Sequence, residues 1–345
     1  MDDELVRFWN NNEKGKRVVK EFGCTVEYGF GGIHFVNSDG QKRFKNVKLL
    51  DVSSLYPNIM LKLYALGDAT ETFRGLVEQR LEAKREGNTI LSDALKLMIN
   101  SVYGLLKNEY SMLYNPMASK SVCIYGQIIL TDLARRLAPT CKLVNGNTDG
   151  LAFVTDSDDY IRVWKEWEEE YGFELELEEY TEFYQENVNN YIGVTPEGYI
   201  KVKGGDVGRY NKLNPFKNGT TRIVDIAVVE HLLYGKDILD VIQENLDKPE
   251  LFQYVLQAGG TYEGTYDSEG NRYQKVNRVF AVRKNGVQLF KQRPDGTKTM
   301  YPKAPDKMLV WNDEVEKFTD FSKVVDVNFY YQLGYDVLER WKEKV

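Results

Sequence analysis

Three short segments hold residue types that could act together on one charged substrate. The first is Asp51-Val52-Ser53-Ser54-Leu55-Tyr56-Pro57, a carboxylate at the end of an apolar strand followed by a tight turn into a helix. The second is Lys96-Leu97-Met98-Ile99-Asn100-Ser101-Val102-Tyr103-Gly104. On a helix, Lys96, Asn100 and Tyr103 fall at i, i+4 and i+7, so a cation, an amide and an aromatic ring share one face, and Gly104 permits close approach. The third is Asn145-Gly146-Asn147-Thr148-Asp149-Gly150, with Asp149 expected just past a hairpin tip near Gly146. A sheet that sets the Asp51 strand beside this hairpin would bring two carboxylates to the same divalent ions. Mg²⁺ takes hard oxygen donors and keeps substrate phosphates in its shell, so two or three carboxylates from separate strands suffice. Two such ions, Mg²⁺ or Mn²⁺ in its place, clamp the attacking and leaving oxygens of a phosphoryl transfer in line. Cations to balance a polyphosphate are close by: Arg80 and Lys84 at i, i+4 on one helical segment, and Lys96 facing them from the next. Taken singly, Arg80 and Lys84 read equally as surface charges on a helix pair.

The elements that must position these residues can be read in outline. The β-favouring runs TVEYGF and GIHFVN and the turn signal Ser38-Asp39-Gly40 precede a strand from Val47 to Asp51. Helical periodicity follows over Thr72 to Arg85, Ser92 to Leu106 and Ser119 to Leu137. Only EGNTIL separates the first two, so they form an antiparallel helical hairpin. A strand hairpin (CKLVNGNTDGLAFV), a helix from Asp158 to Tyr171 and further strands complete an α+β body. From about Thr221 the pattern is helical again (IVDIAVVEHLLYG, then PELFQYVLQ), gives way to basic strands, and closes with a helix at Val327 to Trp341.

In order, DVSSLYP, KLMINSVYG and NGNTDG resemble motifs A, B and C of the family B (polymerase alpha-like) DNA polymerases, whose usual forms are DxxSLYP, KxxxNSxYG and YGDTDS. Phe30-Gly31-Gly32-Ile33-His34 resembles the YxGG-type segment ahead of motif A, in its phage versions, and Tyr199-Ile200-Lys201-Val202-Lys203-Gly204 the KxY-type segment after motif C. The run TRIVDIAVVEHLLYGKDI resembles the helix that opens the thumb; the likeness weakens beyond residue 245. The resemblance implies a right-hand polymerase fold with an antiparallel-sheet palm, two-helix fingers and a mixed α/β thumb. Residues 1–66 would be a lead-in and the first part of the palm, 67–107 the fingers, 108–219 the rest of the palm and 220–345 the thumb. It implies a DNA-directed DNA polymerase that extends a primer with deoxynucleoside triphosphates by two-metal phosphoryl transfer. Asp51 and Asp149, with the backbone at Val52, would hold the two metal ions. The turn through Ser53, Ser54 and Leu55 would cradle the triphosphate, and Tyr56 would lie under the deoxyribose and obstruct a ribose 2′-hydroxyl. Arg80, Lys84, Lys96 and Asn100 would hold the incoming nucleotide, and Tyr103 would pack against the nascent base pair. Lys201 and Lys203 would grip the primer strand, and Gly31, Gly32, Gly104 and Thr148 would also meet DNA.

The chain departs from the family pattern in several places. Asn147 stands where the first aspartate of Asp-Thr-Asp is usual, Asn145 replaces the tyrosine and Gly150 the serine. Gly204 and Gly205 follow Lys203 where an aromatic is expected. Fewer than thirty residues precede Phe30, which leaves no room for the family's proofreading exonuclease. With 38 residues between Pro57 and Lys96 and 40 between Gly104 and Asn145, the insertions of protein-primed relatives do not fit either. The chain is therefore expected not to proofread, with a separate exonuclease or replication subunit as a candidate partner. A polymerase-like subunit that binds primer-template DNA without catalysis is the alternative that the altered third motif suggests.

Charge agrees once it is dissected. The net charge is −7, from 45 basic and 52 acidic residues. Lys165 to Glu186 alone holds ten glutamates and one lysine, −9, which leaves +2 on the remainder. Its FELELEE alternation predicts an edge strand with a wet, glutamate-lined face that serves solubility. Asn271 to Val310 has ten basic residues against two acidic ones, +8, with Tyr273, Phe280, Phe290 and Tyr301 interleaved. That suits a nucleic-acid backbone track, although a solvated face of a β-rich domain has the same composition. Three cysteines and two histidines without CxxC spacing exclude a convincing zinc site or disulfide framework. No run reaches the ~18 apolar residues that span a bilayer, and no signal segment opens the chain. A cytoplasmic protein without a membrane partner is expected.

Overall fold

The computed structural model describes residues 3–10, 15–211 and 221–343. They fall into two compact units, residues 1–183 with 195–197, and residues 184–194 with 198–345. In the first unit a short helix α1 (Asp3–Asn10) leads into β1 (Lys16–Glu21), β2 (Cys24–Gly29), β3 (Gly32–Asn37) and β4 (Arg43–Val52). Next come α2 (Leu55–Lys62), the hairpin of α3 (Thr70–Arg85) and α4 (Thr89–Leu105), and the long α5 (Pro116–Leu137). The unit closes with β5 (Lys142–Asn147), β6 (Gly150–Val154), α6 (Asp159–Tyr171) and most of β7 (Leu175–Asn187).

The strand order β1-β2-β3-β5-β6-β4-β7 is what builds the site. The β5–β6 hairpin inserts between β3 and β4, strands consecutive in sequence, and pairs antiparallel with both. The end of β4 and the β5–β6 turn therefore reach the same end of the sheet. Local signals explain the helices. Asn88 and Asn115 cap α4 and α5 by accepting the N–H groups of Leu91 and Ala118, and Pro116 opens α5 where its missing N–H costs nothing. Trp167 of α6 is fully buried, and its Nε1 donates to the Ile129 carbonyl at 3.1 Å. Buried Gln127 donates to the Gly29 and Gly32 carbonyls at 2.6 and 3.2 Å, tying α5 to the β2–β3 turn.

In the second unit the last residues of β7 continue into β8 (Asn190–Val194) and β9 (Ile200–Lys203). Helices α7 (Arg222–Tyr234) and α8 (Ile238–Glu244) follow, then seven short strands: β10 (Tyr254–Gln257), β11 (Gly264–Asp267), β12 (Arg272–Tyr273), β13 (Val276–Ala281), β14 (Leu289–Gln292), β15 (Lys298–Met300) and β16 (Met308–Val310). Helices α9 (Phe321–Val324) and α10 (Val327–Trp341) end it. The strands make a three-stranded sheet, β10-β13-β16, and a four-stranded one, β12-β11-β14-β15. Tyr330, fully buried, donates its hydroxyl to the Phe252 carbonyl and accepts the Ala281 N–H. Among the described residues no helix is long and apolar enough to cross a membrane.

The mixed α/β architecture with antiparallel sheets agrees with the sequence reading, but three local expectations are corrected. PELFQYVLQ is not helical: a single turn at Pro249–Leu251 gives way to β10, whose Tyr254, Val255 and Leu256 are all buried. A continuous apolar run fits a fully buried strand as well as a helix, and here the strand wins. The hairpin tip is not at Gly146 but at Thr148–Asp149, closed by the Asn147–Gly150 pair. Gly146 lies inside the strand, where a Cβ would stand 2.6 Å from Phe35 and from Leu151. Nor is β7 an edge strand: it lies between β4 and β8, and its Glu179 and Glu182 bond Lys48 and Arg43 of β4.

Candidate active site

Asp51 and Asp149 are held by adjoining backbone. Asp51 stands opposite Gly150 in the β4–β6 pair, and the Val52 N–H donates to the Asp149 carbonyl at 2.7 Å. Asp51 is half-buried and Asp149, at the hairpin tip, is exposed. A Cβ on Gly150 would lie 2.7 Å from Asp51 Oδ1, so a side chain there would displace that carboxylate. The glycine in place of the usual serine thus makes room for Asp51 as it stands. The tip itself is braced from β3. The Thr148 N–H donates to the Ile33 carbonyl at 2.8 Å, and a Cβ on Gly32 would meet Thr148 Oγ1 at 2.4 Å.

Beyond Val52 the chain turns through Ser54 at φ 52°, a left-handed conformation uncommon outside glycine, and enters α2. The turn is fixed on several sides. The Ser53 N–H donates to the Glu174 carbonyl at 2.9 Å, and Asn58 Nδ2 donates to the Ser53 carbonyl at 2.9 Å. Ser53 Oγ donates to Glu176 Oε1 at 2.6 Å, and an Arg80 guanidinium nitrogen donates to Ser54 Oγ at 2.9 Å. Lys84 Nζ reaches the same Glu176 oxygen at 3.3 Å. The Glu176 carboxyl is held below the usual carboxylate range, first by the Ser53 hydrogen bond and then by Lys84 and Arg80.

Together these residues line a cleft of 610 Å³ between the sheet end and the α3–α4 hairpin. Asp51, Val52, Thr148 and Asp149 lie on one side, the turn Ser53–Tyr56 at the centre, and Arg80, Lys84, Lys96 and Asn100 on the other. Tyr103 and Gly104 lie outside the lining, as do Gly31 and Gly32. Tyr103 instead packs against Tyr56, ring centroids 4.5 Å apart and planes tilted by 51°, and donates to the Ser119 carbonyl at 3.3 Å, while Lys107 lies 4.7 Å over its ring. Burial raises the pKa of both phenols, so both stay neutral. Gly31 meets Tyr56 through its carbonyl, which accepts the phenol at 3.4 Å. Lys201 and Lys203 are on β9, in the second unit, half-buried and exposed respectively.

Glu174 and Glu176 were missed as site residues because the glutamate-rich strand looks uniform in sequence. The turn before it, at Gly172 (φ 69°), was the signal: it aims the start of β7 at the turn after β4. Among the described residues no group of three or more His, Cys, Asp or Glu side chains could hold a metal ion. The two aspartates and the Val52 backbone are hard oxygen donors, and no sulfur or imidazole lines the cleft. That incomplete all-oxygen set fits Mg²⁺, which leaves most of its shell to water and substrate phosphate.

Comparison with known proteins agrees with the motif reading. No protein-family model matches the chain. It is 21% identical over 341 residues to DNA polymerase 2 of Aeropyrum pernix, covering 83% of this chain and 41% of that protein. DNA polymerase 1 of the same archaeon is 24% identical over 253 residues, covering 69% and 26%. The DNA polymerase alpha catalytic subunit of Trypanosoma brucei brucei is 32% identical over 108 residues, 27% of this chain and 8% of that one. Among solved structures, the family B DNA polymerase from Pyrobaculum calidifontis has a similar fold, with TM-score 0.53 and 20% identity over 88% of this chain and 46% of that one. The chain spans less than half the length of these proteins. The resemblance to family B DNA polymerases is borne out.

Proposed function

We propose that the chain contains the nucleotidyl-transfer core of a DNA-directed DNA polymerase, with residues 1–66 and 108–219 as palm, 67–107 as fingers and 220–345 as thumb. The observation that carries this reading is the cleft itself: two aspartates on adjoining backbone face three cations and an amide across a left-handed serine turn. In this reading Asp51, Asp149 and the Val52 carbonyl hold two Mg²⁺ ions, which supply charge neutralisation for the attacking and leaving oxygens. Arg80, Lys84 and Lys96 bind the triphosphate of the incoming deoxynucleotide, and Asn100 donates to it. The N–H groups that open α2 after Ser54 add a second, uncharged cradle. Glu176 occupies Lys84 and Ser53 until the nucleotide arrives, and the triphosphate takes over the lysine. Tyr56, backed by Tyr103 and anchored on Gly31, is a rigid plate beneath the sugar and excludes a 2′-hydroxyl. Primer-template DNA is the second substrate, with Lys201 and Lys203 assigned to the primer strand.

The test is extension of a labelled primer-template in Mg²⁺ with deoxynucleotides, with ribonucleotides, and without template. Template-dependent extension by deoxynucleotides alone is expected, and Tyr56→Ala should admit ribonucleotides. No extension under any condition would favour the DNA-binding subunit without catalysis.

A further inference from the structure

The second unit carries a surface that the nucleotidyl-transfer reading leaves unused. In the sheet β12-β11-β14-β15, register places Arg272 opposite Tyr266, Tyr266 opposite Phe290, and Phe290 opposite Met300. Four side chains thus form one lateral row across all four strands. Two residues along, Gln292 stands opposite both Gly264 and Lys298. Alternation along a strand separates the faces, and burial identifies them. Thr265, Asp267 and Leu289 are at most 1% exposed, whereas Met300 is 54% exposed. Tyr266, Phe290 and Gln292 are partly exposed, and Arg272 and Lys298 are exposed. The water-facing side of a one-sided antiparallel sheet is ordinarily polar, so a row of two rings and a methionine there calls for a ligand.

The surrounding charge states which ligand. The one carboxylate within these four strands, Asp267, is on the buried face. On the open face Lys298 Nζ lies 5.8 Å from the Phe290 ring centroid. A Cβ on Gly264 would be 3.5 Å from Arg272 Nε and from Tyr266 Cε2, so guanidinium and ring converge over the glycine. The segment Asn271 to Val310, which supplies most of the sheet, carries +8. Rings at strand spacing with cations close by, Lys298 over the Phe290 ring and Arg272 near Tyr266, suit unstacked bases and a phosphodiester backbone. A duplex hides its base faces and could use only the cations.

We propose that this sheet face binds single-stranded DNA, with bases stacked on Tyr266 and Phe290 and the backbone held by Arg272 and Lys298. The test uses the whole chain and an oligo-dT carrying 5-iododeoxyuridine, with photocrosslinked peptides located by mass spectrometry and affinities read by fluorescence anisotropy. Crosslinks at Tyr266 or Phe290 are expected. The double variant Tyr266→Ala/Phe290→Ala should bind oligo-dT at least about tenfold more weakly while binding blunt duplex DNA as the parent does. Lys298→Ala, at an exposed position, should lower the salt-dependence slope by about 0.7. Crosslinks confined to other segments overturn the proposal. So does a double variant that keeps the parent's oligo-dT affinity or loses duplex binding to the same degree.

Discussion

Two aspartate sites, one in each unit, treat the carboxylate in opposite ways. In the first unit Asp149 is exposed on a two-residue turn and Asp51 half-buried beside it, both lining an open cleft. In the second, Asp225 of α7 is fully buried, accepts the Arg209 N–H at 2.7 Å and is ion-paired with the Arg209 guanidinium. Burial nevertheless pushes its pKa from 3.8 up to about 7, against the pull of Arg209. A charge held inside the protein must be matched there, whereas a charge facing a cleft is available to a ligand. The first arrangement is for chemistry and the second for structure.

Removing the cleft aspartate in one unit and the buried aspartate's arginine in the other should break the comparison most visibly. Asp149→Ala should cut primer extension about a thousandfold, the several kcal/mol of charge stabilisation that a metal-held site supplies, with the melting temperature unchanged or higher. Steady-state extension rates beside a thermal melt check both halves. Arg209→Leu should do the reverse at its own unit and destabilise it by about 3–5 kcal/mol, because a buried carboxylate loses its partner. Urea titration reads that loss.

The pH dependence follows from the same contrast. A carboxyl whose folded pKa is raised stabilises the fold below its unfolded pKa and loses that contribution as pH rises through the folded value. Asp225 should therefore make stability fall between pH ~4 and ~7, a trend that Asp225→Asn flattens in melts across that range. Asp39 of the first unit works the other way. A hydrogen bond from Lys142, ahead of those from Gln41 and Asn37, holds its pKa near 2, so its contribution fades only as pH falls toward that value.

Smaller effects sharpen the account of the cleft. Glu176→Gln should lower the deoxynucleotide KM about two- to fivefold, since it frees Lys84 from an exposed ion pair worth at most about 1 kcal/mol. Asn147→Asp should leave extension unchanged or raise it a few-fold, because Asn147 bonds Thr148 and lies outside the cleft lining. Both are read from nucleotide-dependence curves.

The motifs were legible because each combines local chemistry with a turn or helix face that sequence spacing already defines. Asp51, Asp149, Arg80, Lys84, Lys96 and Asn100 needed only the correct strand order to meet. Glu176 was not legible, since its partners Ser53 and Lys84 are 123 and 92 residues away and nothing in FELELEE marks one glutamate from the next. The Asn145-Gly146 pair misled for a related reason. It is a strong turn signal, overridden here by close packing against Phe35 and Leu151. Tyr254 to Gln257 was misread because a short run with three consecutive buried residues has no period to tell strand from helix.

The central claim is that the cleft of the first unit extends a primer under template direction. Its most direct measurement offers one deoxynucleotide at a time to a labelled primer-template in Mg²⁺, with the parent beside Asp51→Ala. The parent should add only the nucleotide complementary to the template base, and the folded variant none. Addition by Asp51→Ala at the parent's rate would contradict it.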